Sequence, residues 1–102
     1  MKSIMLVCAA GMSTSLLVSK MKKAAEKKGI EADIFSVAAQ EAEETVKRKH
    51  VDVVLLGPQV RYRKEQFQKS LGGIPVEAID MKYYGTMNGE KVLEQALSLI
   101  KE

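Results

Sequence analysis

Hydrophobic positions in this chain fall into short blocks whose period switches repeatedly between strand and helix. Ile4-Met5-Leu6-Val7 is a continuous apolar run, the pattern of a strand buried on both faces. It ends at Cys8, and Ala9, Ala10, Gly11, Met12, Ser13, Thr14 and Ser15 follow, small and polar enough for a tight loop. A helix is expected from Ser13 or Thr14. Leu17, Met21, Ala24 and Ala25 recur at helical spacing, with Lys20, Lys23 and Lys27 on the wet side, and Gly29 is a natural stop. Ile30 to Val37 alternates in part and predicts a second strand. Ala39 to Lys49 predicts a second helix, with Glu41, Glu43 and Glu44 in its first half and Lys47, Arg48 and Lys49 in its last turn, as the helix dipole favours.

Val51 to Leu56 is the clearest strand, rich in β-branched residues and closed by Gly57-Pro58. Gln59 to Leu71 predicts a third helix, with Val60, Lys64, Phe67 and Leu71 along one stripe and Gly72-Gly73 after it. Ile74 to Ile79 is a shorter fourth strand, and Pro75 argues for a strand start or an edge position. Asp80 to Gly89 reads as a loop. A final helix to Ile100 buries Val92, Leu93, Ala96, Leu97 and Ile100. Four alternations of strand and helix predict one α/β domain over residues 1–102. Its single four-stranded parallel sheet has right-handed crossovers and helices on both faces. Sites in such folds lie beyond the carboxyl ends of strands, where the strand order reverses. In the order 2-1-3-4, Cys8 and Gly57-Pro58-Gln59 end neighbouring strands.

Composition narrows the function classes. With 102 residues, 46% hydrophobic and 28% charged, the chain suits one soluble globular domain. No apolar run reaches the roughly 20 residues of a membrane span, so no direct membrane insertion is expected. The apolar stretch after Lys2 is too short for a signal peptide and leads into a lysine-rich helix, so a cytosolic protein with an unprocessed amino terminus is expected. One cysteine makes no internal disulfide and no multi-thiolate metal site, and His50 is the only histidine; neither metal nor cofactor is expected. A net charge of +3 is too mild to imply nucleic-acid binding by itself.

Cys8 and its loop carry the chemistry. A helix amino terminus presents unpaired N–H groups and the positive end of the dipole, which favour a thiolate and an arriving phosphate alike. Ala9 to Ser15 would supply those amides, with the hydroxyls of Ser13, Thr14 and Ser15 beside them. Gly11 allows a positive φ and close backbone approach. Taken alone, a cysteine after an apolar strand is more often a small buried hydrophobe; the glycine, the hydroxyls and the helix start shift the balance. Protein tyrosine phosphatases place an arginine six residues after the cysteine, where it clamps the phosphate. Thr14 stands there, and no arginine precedes Arg48. The loop therefore favours holding and passing on a phosphoryl group, with the thiol placed where two partners can reach it.

Among the other residues, Arg61-Tyr62-Arg63-Lys64 follows the third strand and is either a solvated helix face or a rim that docks a partner or steers phosphate. Pro58 and Gln59 belong to the same rim, and Tyr83 and Tyr84 line it or pack. Asp80 is a weak candidate for a general acid. His50 is placed at the opposite end of the sheet from Cys8, as a solvated helix-end residue. Competing functions are a cysteine-dependent phosphatase, a thiol-redox enzyme such as an arsenate reductase (which lacks its resolving cysteine here) and a nucleic-acid-binding or regulatory module.

With Ile4 to Val18 and Val53-Val54-Leu55-Leu56-Gly57-Pro58-Gln59-Val60-Arg61-Tyr62 in hand, the sequence resembles a bacterial transport component. That family is the enzyme IIB component of the lactose/cellobiose (chitobiose) family of the phosphoenolpyruvate-dependent sugar phosphotransferase system. The resemblance spans the chain and implies the scaffold of the low-molecular-weight tyrosine phosphatases. It implies a protein-phosphohistidine–sugar phosphotransferase. In the reaction so implied, Cys8 would accept phosphate from enzyme IIA as S-phosphocysteine. It would then pass it to a β-disaccharide of the cellobiose, chitobiose or lactose type on the membrane permease, enzyme IIC. It also implies a cytoplasmic protein peripherally associated with that permease, without cofactor, metal or nucleic acid.

Overall fold

A computed structural model of the protein describes residues 1–9 and 14–100. The first apolar run forms β1 (Lys2–Cys8), followed by α1 (Ser15–Lys28) and β2 (Ala32–Ala38). A 3₁₀ turn at Ala39–Glu41 leads into α2 (Ala42–Arg48), then β3 (Val53–Leu56). A second 3₁₀ segment, Pro58–Arg63, runs into α3 (Lys64–Ser70), and β4 (Val76–Ala78), α4 (Met81–Gly85) and α5 (Gly89–Leu99) complete the chain. The sheet is parallel throughout, in the expected order β2-β1-β3-β4. Pro75 directly precedes β4, an edge strand, so its missing N–H costs no ladder bond, while its carbonyl accepts from Val54 N–H at 2.9 Å.

β1 is central, and its alternation divides the core. Ile4 and Leu6 join Leu17, Val18, Met21, Val92, Leu93 and Ala96 under α1 and α5. Met5 and Val7 join Ala42, Val54, Leu56, Phe67 and Leu71 on the face of α2 and α3. Helices thus cover both faces, as parallel strands require.

The structure moves several boundaries. Gly29, at φ 69°, closes α1, and Ile30 N–H donates back to Ala25 O at 2.9 Å, so Ile30 belongs to the helix-ending turn and β2 starts at Ala32. The second and third helices both open as 3₁₀ turns; in the third, Pro58 occupies the first position and Val60 N–H donates to Gly57 O at 3.0 Å. The expected loop from Asp80 to Gly89 is largely helical. The Asp80 carboxylate accepts from Lys82 N–H at 2.9 Å and caps α4, and the Asn88 side chain accepts from Lys91 N–H at 3.1 Å and caps α5.

Candidate functional site

The alternation that sends Ile4 and Leu6 toward α1 also turns Cys8 that way, at the carboxyl end of the central strand. Thr14 meets it from the start of α1, its Oγ1 donating to Cys8 Sγ at 3.5 Å. The thiol in turn lies 4.0 Å from the carbonyl of Val37 on β2. Both Cys8 and Thr14 are fully buried, at 0% exposure. The expected accessible thiol is therefore enclosed in this structure. Thr14 occupies the N-cap position of α1, where a threonine usually bonds the helix's own N–H groups for about 1 kcal/mol; here its side chain makes no such bond. Its hydroxyl is turned to the sulfur.

Of the expected phosphate-binding residues, Ala9 is exposed next to Cys8, and Ser15 is the exposed first residue of α1. Ala10, Gly11, Met12 and Ser13 lie outside the described residues.

The end of β3 closes on the same place, as the strand order predicts. Gly57 N–H donates to Val7 O at 2.7 Å, which fixes Gly57 beside the residue before Cys8. A Cβ on Gly57 would stand 3.3 Å from Val7 O, 3.3 Å from Gln59 Oε1 and 3.6 Å from the Thr14 methyl. Glycine lets the third strand approach this closely. The sequence places Gly57-Pro58-Gln59 at a strand end beside that of Cys8, but the Gly57–Val7 bond and the Val37 carbonyl emerge only in the structure. The pairing of β1 between β2 and β3 was the signal for both.

Around this end of the sheet the basic segment is largely engaged within the molecule. Lys64 pairs with Glu77 at 2.8 Å, and Arg63 bonds Gln66 at 3.2 Å while lying over the Phe67 ring. Arg61 reaches the sulfur of Met81 at 2.7 Å, and Tyr62 is 81% exposed. Gln59 is exposed and Pro58 half-buried. Tyr83 and Tyr84, on α4, pack partly buried against the α1–α5 core. Asp80 serves as a helix cap.

His50 precedes β3 at the far end of the sheet, as expected, but it is not simply solvated. Its Nε2 meets Asp52 Oδ1 at 2.7 Å, and Asp52 Oδ2 accepts from Ser3 N–H at 2.8 Å. The Ser3 N–H foremost, then His50 and the amino terminus, hold the Asp52 carboxyl below its ordinary range against the opposing effect of burial. Two surface clefts also lie away from the thiol, one beside Pro75 and Ser98, the other between Lys20, Lys27 and Glu90. Among the described residues, no three His, Cys, Asp or Glu side chains are placed to hold a metal ion. No helix among them is long and apolar enough to cross a membrane.

The thiol thus stands at a strand-order reversal, bonded by the N-cap residue of the following helix. The family model of the PTS system lactose/cellobiose-specific IIB subunit matches residues 3–95. The chain belongs to that family. The oligo-beta-mannoside-specific EIIB component of Bacillus subtilis (strain 168) is 48% identical over 98% of this chain and 97% of its own. The solution structure of a cellobiose-specific phosphotransferase IIB component from Borrelia burgdorferi is similar at TM-score 0.78 and 46% identity, over 97% of this chain and 91% of that one. A YwlE mutant from Bacillus subtilis shares the fold alone, at TM-score 0.55 and 18% identity over 97% and 99% of the two chains. This chain is thus a IIB component of the lactose/cellobiose family, with a general role in the phosphotransferase system.

Proposed function

We propose that Cys8 is the phosphoryl carrier of this IIB component. One observation carries the reading: the chain's single cysteine ends the central strand where the strand order reverses, with the buried Thr14 hydroxyl bonded to its sulfur. The Cys8 thiolate attacks the phosphorus of a phosphohistidine on enzyme IIA; the S–P bond forms as the N–P bond breaks, and the electron pair stays on the imidazole. A hydroxyl of a sugar on enzyme IIC then attacks the same phosphorus. The O–P bond forms, the S–P bond breaks with its pair returning to sulfur, and the hydroxyl proton is released to water.

Backbone amides from Ala9 to Ser15, with the hydroxyls of Ser13 and Ser15, hold the phosphoryl oxygens. Pro58, Gln59, Arg61 and Tyr62, together with Tyr83 and Tyr84, form the rim on which the two partners dock in turn. Cys8 is enclosed, so the donor reaches it only after the side chains around the sulfur give way. The protein works in the cytoplasm, associated peripherally with the permease. The sugar class that best fits is a β-linked disaccharide or oligosaccharide, since relatives of similar identity carry oligo-beta-mannoside and cellobiose in their names.

The test is sugar phosphorylation from phosphoenolpyruvate, with the general phosphotransferase proteins, enzyme IIA and membranes bearing enzyme IIC. Adding this protein should support phosphorylation of a β-disaccharide, and Cys8→Ser should abolish it. Activity retained by Cys8→Ser would overturn the reading.

A further inference from the structure

Thr14 stands out because its side chain does not take the capping role that its position offers. As the N-cap of α1 it makes no cap hydrogen bond, and its hydroxyl donates instead to Cys8 Sγ at 3.5 Å. A neutral thiol sulfur is a weak acceptor, so that exchange gains little in the thiol form. When the sulfur is charged, the same bond becomes charge-assisted and much stronger. A second neighbour, the Val37 carbonyl at 4.0 Å, favours the opposite form, because it can only accept from S–H. Of these two groups, Thr14 is the one whose interaction strengthens as a thiolate forms. The Thr14 methyl faces Gly57, 3.6 Å from where a Cβ would stand there.

We infer that Thr14 is a positioning residue that acts on the sulfur of Cys8 rather than on the phosphate, stabilising the thiolate as it departs from phosphorus. The inference rests on the reading of Cys8 as the phosphoryl carrier. In each transfer out of phosphocysteine, the S–P bond breaks and its electron pair returns to sulfur, where the Thr14 O–H meets the developing charge. In the transfer in, the same bond is given up as sulfur attacks. Thr14 thus favours release of the phosphoryl group over its retention. A hydroxyl bound to the phosphoryl oxygens would do the reverse, holding the group in place.

The two roles differ in sign, which makes them separable with Thr14→Val, of nearly equal shape, and Thr14→Ser, which keeps the hydroxyl. The first readout is titration of the Cys8 thiolate by its ultraviolet absorbance on the protein alone. Thr14→Val should titrate about one pH unit higher than wild type, with Thr14→Ser close to wild type. The second readout is back-transfer from phosphorylated protein to unphosphorylated enzyme IIA, well above the titration range. Thr14→Val should release its phosphoryl group roughly tenfold more slowly, and Thr14→Ser should restore the rate. An unshifted titration in Thr14→Val, or faster loss of its phosphoryl group, would overturn the inference. Phosphorylation persisting in Cys8→Ser would sink the carrier reading, and the titration would still decide what Thr14 does to the thiol.

Discussion

At the scale of single residues, the proposed phosphoryl site and a stabilising contact occupy opposite ends of the central strand. At its carboxyl end Cys8 and Thr14 face each other in a fully buried contact. At its amino end Asp52 ties β1 to the approach of β3 by accepting from Ser3 N–H and meeting His50. The fold places this histidine too far from Cys8 to share in transfer, and its partner defines its role. Because the folded state depresses the Asp52 carboxyl, the stability it adds is present above the ordinary carboxylate range. It is lost as pH falls through the lowered folded value. Asp52→Asn should therefore cost about 1 kcal/mol in urea unfolding at neutral pH. The gap from wild type should close in acid, below the usual aspartate range. A gap independent of pH would contradict this account.

At the scale of elements, the sequence pattern was legible wherever an apolar block spanned a whole strand or helix. β1, α1, β3 and α5 stand close to their expected positions, and the order of strands follows from chain topology. What stayed hidden depends on short-range capping and on contacts distant in sequence. Asp80 and Asn88 are both cap residues, and reading them as loop residues concealed α4 between them. Gly89 is another case. It opens α5 against α1, and a Cβ there would lie 2.6 Å from the Lys20 carbonyl carbon and 2.8 Å from its oxygen. Only the packed structure shows why glycine stands at a helix start.

Gly89→Ala should destabilise the protein by about 2 kcal/mol, the crowding outweighing the helix propensity that alanine adds. Gly85→Ala, where a Cβ meets nothing within 4 Å, should be neutral or stabilising by about 0.5 kcal/mol. Equal effects in a thermal unfolding comparison would show that helix propensity, and not the α1–α5 approach, governs both sites.

At the scale of the molecule, the carboxyl end of the sheet gathers the groups that the proposed phosphoryl transfer uses. The ends of β1, β2 and β3 bring Cys8, Val37 and Gly57 together, and α1 delivers Thr14 to the sulfur. The candidate thiol was legible because the apolar run stops at a cysteine followed by small and hydroxylated residues. Its enclosure was not, since burial depends on how three strands and a helix converge. Membership of the lactose/cellobiose-specific IIB family fits this convergence, while the charged segment after β3 turns largely to internal pairs. The central claim is that the phosphoryl group rests on the Cys8 sulfur. Its most direct test is mass spectrometry of the intact protein and its peptides after incubation with phosphoenolpyruvate, the general phosphotransferase proteins and enzyme IIA. The account predicts one phosphoryl group, on the peptide containing Cys8, absent in Cys8→Ser and removed by permease and sugar. A phosphoryl group on His50, or labelling undiminished in Cys8→Ser, would contradict it.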